Sequence, residues 1–253
     1  MDMIERFAGL LALAFLRYLP VVVLPALTPM RWAPPLVRIV LALGLAWLTV
    51  LAMPAQMYTA QAPINWGMAV FGELTIGLVF GLVVMVPYAA LHVAGWVVDV
   101  QAGLSAGMLF NPGAQGDMQS LLGAGLALLA TVLFFTLDLH LALYRALVAS
   151  TQVLPVGRGG VGLDLDAFLG LLGSSFLLGL MVVAPVMLGL LVVDVGVAYA
   201  TRSMPQANVY FLMLPLKIVV ALLLMVATLP FVPALLNRLF RDAFSRAPAL
   251  LGL

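Results

Sequence analysis

The chain is a succession of long apolar runs separated by short polar intervals. A helix that crosses a bilayer needs about 20 mostly apolar residues. Six stretches have that character: Phe7 to Thr28, Ile39 to Met53, Leu74 to Val98, Met118 to Leu137, Ala167 to Val193 and Ile218 to Leu236. This pattern predicts an all-α membrane protein of about six hydrophobic helical segments. The first run holds Arg17, Pro20 and Pro25; the third holds Pro87 and His92; the fifth holds Pro185; the last holds Pro230 and Pro233. Proline lacks the N–H and crowds the preceding turn, so these positions predict kinks or breaks. In a membrane such breaks persist where other protein or a watery cavity satisfies the freed carbonyls. Pro87, Pro185 and Pro230 therefore point to helices packed inside an assembly. Gly77-x-x-x-Gly81 and Gly103-x-x-x-Gly107 have the spacing that lets membrane helices approach closely, and ordinary glycine usage in membrane helices accounts for them equally well.

Composition agrees with the pattern. The 253 residues are 65% hydrophobic and 8% charged, with mean hydropathy +1.21. A soluble domain of this length has no way to hide so much apolar surface. The net charge of +1 supplies no basic field for nucleic acid. Cysteine is absent, which excludes disulfides, thiolate nucleophiles and Cys-based metal sites. The two histidines, His92 and His140, lie in no H-E-x-x-H pattern. No cofactor is expected. Met1 to Arg6 carry two acids against one base, and no A-x-A site closes the first apolar run, so the first segment is expected to stay in the mature protein.

Orientation is weakly written. If six spans alternate, one side collects Arg6, Arg145, Arg158, Arg238, Arg241 and Arg246, and the other Arg31, Arg38, Arg202 and Lys217. Six against four is a faint positive-inside bias, and helices that are not all simple spans would produce it. Pro155 to Asp166 is glycine-rich and ends in Asp164 and Asp166, either of which suits a helix cap. No boundary divides the chain, so residues 1–253 are expected to form a single membrane-embedded domain.

Two connections stand out. Asp99 to Asp117 is half apolar and rich in glycine, unlike a solvent loop. Within it, Met108, Leu109 and Phe110 form an apolar cluster before Asn111-Pro112-Gly113, which reads as a turn. Two readings fit: a re-entrant or interfacial loop that simply packs, or a gate whose apolar side chains close a pore by dewetting. Met suits a gate because it is unbranched and repacks easily. The second connection, Asp194 to Lys217, places Asp194, Arg202 and Lys217 between two strongly apolar runs. Each charge costs about 3 kcal/mol at a bilayer centre unless paired or held by another subunit. Pro205 and Pro215 mark breaks there, and Gln206 and Asn208 supply amides between them. An interfacial loop with snorkelling Arg and Lys fits, as does a subunit contact or ion path. Glu73 and Asp99 flank the third run and are expected at membrane interfaces; His140, after Asp138, is expected to cap or sit at an interface.

At these segments the chain resembles the FliR family of flagellar export-gate proteins, related to the SctT subunits of virulence injectisomes. The likeness is collinear through Ala94-Gly95, Gln101-Ala-Gly-Leu-Ser105, Asn111-Pro112-Gly113, Phe134-Phe135, Leu139-His140 and Leu154-Pro155-Val156-Gly157. It ends in Met204-Pro205-Gln206-Ala-Asn208-Val-Tyr-Phe211 and Leu214-Pro215-Leu216-Lys217. Gln101-Ala-Gly-Leu-Ser105 and Leu139-His140 look flagellar; the injectisome branch tends to carry Arg where this chain has Ala102.

The resemblance implies a structural and gating subunit, not an enzyme. Its proline-broken hairpins would join FliP-like and FliQ-like subunits, with an FlhB-like switch protein, in a helical hetero-oligomeric gate. That gate sits in the flagellar basal body, in the bacterial inner membrane, and conducts unfolded secreted proteins. Carried over by position, Met108, Leu109, Phe110, Asn111 and Pro112 belong to the pore plug. Asp194, Arg202, Pro205, Gln206, Asn208, Pro215 and Lys217 belong to subunit contacts or helix breaks. Outside the resemblance, an ion-coupled transporter using Glu73, Asp99 or Asp194 would need inverted-repeat hydropathy, which the chain does not show. A membrane enzyme would need a nucleophile–base pair, metal spacing or phosphate loop. Gly157 to Gly162 lacks the strand context and Lys of the last.

Overall fold

The computed structural model describes residues 3–23, 33–53, 65–104, 120–157, 162–203 and 209–252. Among the described residues, regular structure is entirely helical. The helices are α1 (Met3–Val23), α2 (Pro35–Leu51), α3 (Trp66–Ala102), α4 (Leu121–Thr136), α5 (Leu139–Val153), α6 (Leu165–Ser203), α7 (Val209–Thr228) and α8 (Val232–Leu250). A single 3₁₀ turn, Leu229–Phe231, joins α7 to α8.

Among the described residues, each of the six apolar runs contributes to a helix, but the helix lengths differ from simple spans. Four helical stretches are long and apolar enough to cross a membrane: α1, α3, α6 and the α7–α8 stretch from Met213 to Leu250. The bent pair α4–α5 brings the total to as many as five. The second run, α2, is apolar but only 17 residues long. By contrast α3 has 37 residues and α6 has 39. At about 1.5 Å per residue these reach roughly 55 Å or more, well beyond a hydrocarbon core of about 30 Å. Both are therefore longer than a simple span needs.

Most of these prolines do not end a helix. Pro20, Pro87, Pro185 and Pro215 sit inside helices that continue past them. Each removes one ladder bond without ending its helix. Pro230 does fall in the 3₁₀ turn. The sharp bend, 67°, separates α4 from α5 and involves no proline. There Asp138 takes a left-handed conformation, φ 56°, and its carbonyl accepts the Leu141 and Ala142 N–H groups to start α5. Asp tolerates this region better than most residues. Of the two candidate caps before α6, Asp164 is the one used: its Oδ1 accepts the N–H groups of Asp166 and Ala167 at 2.9 and 3.2 Å.

The chain divides into two compact units. One comprises Met1–Val86, Phe134–Leu172 and Phe240–Leu253. Its core joins Ala14, Tyr18, Ala42, Ala46, Val79, Phe80, Leu147, Leu171 and Ala243, all buried. The α1–α3 contact within it runs past Gly77, where a Cβ would meet the Arg17 carbonyl and the Pro20 ring. The other comprises Pro87–Leu133 and Gly173–Leu239, with Leu91, Val98, Ala130, Val183, Leu190 and Ala221 buried. In it α3 meets α4 at Gly95 and Gly123, and a Cβ on Gly95 would stand 2.5 Å from the Gly123 Cα and N.

Candidate functional site

The proposed plug residues Met108, Leu109, Phe110, Asn111 and Pro112 lie outside the described residues, as do Pro205, Gln206 and Asn208. The structure does show what holds the helix ends that flank residues 105–119. Asp99, near the end of α3, is 3% exposed. Its carboxylate accepts the Ser120 hydroxyl at 2.5 Å and the Leu122 N–H at 3.1 Å. Ser120 Oγ in turn accepts the Gly123 N–H at 2.8 Å. Asp99 and Ser120 thus satisfy two of the free donors at the α4 N-terminus, where a negative charge also meets the helix dipole. Asp99 is therefore a buried cross-helix cap. The pairing follows from the close approach at Gly95, one turn before Asp99 on the same face of α3.

One further contact and one turn mark this end of α3. Gln101 Nε2 donates to the Met187 carbonyl of α6 at 3.0 Å. Gly103 ends the helix in a left-handed conformation, φ 82°, which glycine adopts without the penalty a Cβ brings. Asp99→Ala leaves Ser120 and the Leu122 N–H without their acceptor. The expected cost is about 1–3 kcal/mol, with a loss of protection at the Leu122 amide in hydrogen exchange. Asp99→Asn keeps one acceptor oxygen and should lose less. Equal protection in Asp99→Ala and wild type would show that the cap does not hold the segment.

In the second connection, Lys217 Nζ and Asp194 Oδ1 pair at 2.6 Å. The Lys217 side chain is buried while that of Asp194 is 41% exposed, so the pair neutralises a buried cation and leaves one carboxylate edge open. Pro215 and Arg202 are exposed. Four of the seven residues expected there are therefore placed, and two of them contact each other.

The densest polar cluster was not foreseen. Arg17, from the middle of α1, is fully buried. Its Nε and Nη2 donate to the two Glu73 carboxylate oxygens at 2.5 and 3.0 Å, a bidentate pair. Nη2 also reaches the Leu154 carbonyl at 3.0 Å, and Nη1 reaches Ser150 Oγ at 3.1 Å. Glu73 Oε1 accepts the Gly157 N–H at 2.9 Å. One ion pair so ties α1, α3, α5 and the turn after α5. Glu73 is 2% exposed, so its carboxylate is held by protein partners and not by solvent. The available signal was an Arg in an apolar run and an unmatched acid near the start of another. Spacing alone does not reveal that they meet.

His140 does not act as a cap. It is the second residue of α5, and its Nδ1 is buried with no hydrogen-bond partner. Its ring lies 5.3 Å from that of Phe135. No group of three or more His, Asp or Glu suited to a metal ion occurs among the described residues.

Long apolar helices, with buried charges used in pairs and caps, define an all-α membrane protein. Residues 8–243 match the family described as bacterial export proteins, family 1, and the chain belongs to that family. This is the FliR/SctT family of export-gate proteins, which are not enzymes. The chain is 29% identical over 247 residues to the flagellar biosynthetic protein FliR of Escherichia coli K12, covering 95% of this chain and 93% of the relative. It is 26% identical over 212 residues to the FliR of Aquifex aeolicus, covering 83% and 81%. It is 29% identical over 210 residues to the Yop proteins translocation protein T of Yersinia pestis, covering 81% and 79%.

Proposed function

We propose that the chain is a structural and gating subunit of a flagellar type III export apparatus. It packs with FliP-like and FliQ-like subunits, and with an FlhB-like switch protein, in the bacterial inner membrane. The assembly passes unfolded export substrates, and residues Met108 to Pro112 close it at rest. The observation that supports this reading is the packing of the helix ends that flank residues 105–119: Asp99 joins the end of α3 to Ser120 and Leu122 at the start of α4, and Gln101 joins it to α6. The exposed apolar faces of α6 and α7, including Leu188, Val192, Val195, Leu223 and Val226, suit contact with lipid or sister helices.

Deleting Ala106 to Gly113 tests the plug. The assembled complex should form but leak small ions, read as conductance across the membrane. Unchanged conductance in an assembled complex removes the plug assignment. The similarity to a Yop translocation protein supports a second reading, an SctT-type injectisome subunit. Restoration of swimming in a strain lacking its own FliR favours the flagellar assignment; restoration of injectisome secretion alone favours the second.

A further inference from the structure

We draw no further inference here: the strongest candidate, the exposed face of α6 from Leu188 to Arg202 beside the half-exposed Asp194 and its partner Lys217, falls within the subunit contacts already proposed, and nothing in the structure shows whether lipid or a sister helix covers it.

Discussion

Replacing Glu73 by alanine should destabilise the protein by about 3–5 kcal/mol, the usual cost of stranding a buried charge. The Arg17 and Glu73 side chains are 1% and 2% exposed, so neither can be hydrated where it stands. Removing the carboxylate leaves Arg17 Nε without an acceptor and takes one from Nη2; the Gly157 N–H also loses its acceptor. The Leu154 carbonyl and Ser150 hydroxyl remain, but they are neutral and balance no charge. For a chain of this length the loss corresponds to a fall in melting temperature of about 10 °C, measured in detergent. The double variant Arg17→Met, Glu73→Leu should recover most of it, because an apolar pair of similar volume avoids the desolvation cost. A Glu73→Ala protein as stable as wild type, or a double variant worse than the single, would contradict this account. The pair is best understood as a registry device. It costs desolvation, and in return only one arrangement of α1, α3 and α5 satisfies it.

A side chain at Gly95 should be the second most damaging single change. The atoms a Cβ would meet are backbone, the Gly123 Cα and N at 2.5 Å and the Leu122 carbonyl carbon at 2.7 Å. Backbone within a helix has no rotamer to yield, so α3 and α4 must move apart. Overpacking of this kind costs about 1–3 kcal/mol. Separation also pulls Asp99 from Ser120 and Leu122, adding about 1 kcal/mol for the lost cap. Gly95→Val should therefore lower the melting temperature and raise ion leak together, because the same movement loosens the base of the 105–119 segment. Gly196→Ala is the matched control. It lies in α6 with nothing within 4 Å of the added atom, and helix propensity alone predicts a neutral or slightly stabilising effect. Leak in Gly196→Ala equal to that in Gly95→Val would detach the leak from the α3–α4 contact.

The candidate site was only partly legible beforehand. Asp194 and Lys217 were marked as charges needing a partner, and each proves to be the other's. Asp99 and Glu73 were assigned to membrane interfaces because each stands at the end of an apolar run. What spacing did not reveal is the partner of each: Asp99 meets Ser120 and Glu73 meets Arg17, 21 and 56 positions away along the chain. A proline inside an apolar run does not by itself end a helix, as at Pro87 and Pro185, although Pro230 falls at the turn between α7 and α8. Loss of one ladder bond is tolerable in a packed helix, whereas the 67° bend at Asp138 uses a change of backbone region.

What this sequence determined by itself was its class: all-helical, embedded in lipid, with six apolar runs in order. Apolar length and continuity are local properties, and a medium without water leaves helices as the means of satisfying the backbone within each segment. The tertiary structure decided which charges meet, Arg17 with Glu73 across 56 positions, and which helices touch through glycine. Those outcomes depend on where distant segments lie in space. An ion pair or a 2.5 Å backbone approach leaves no periodic trace along either segment that forms it.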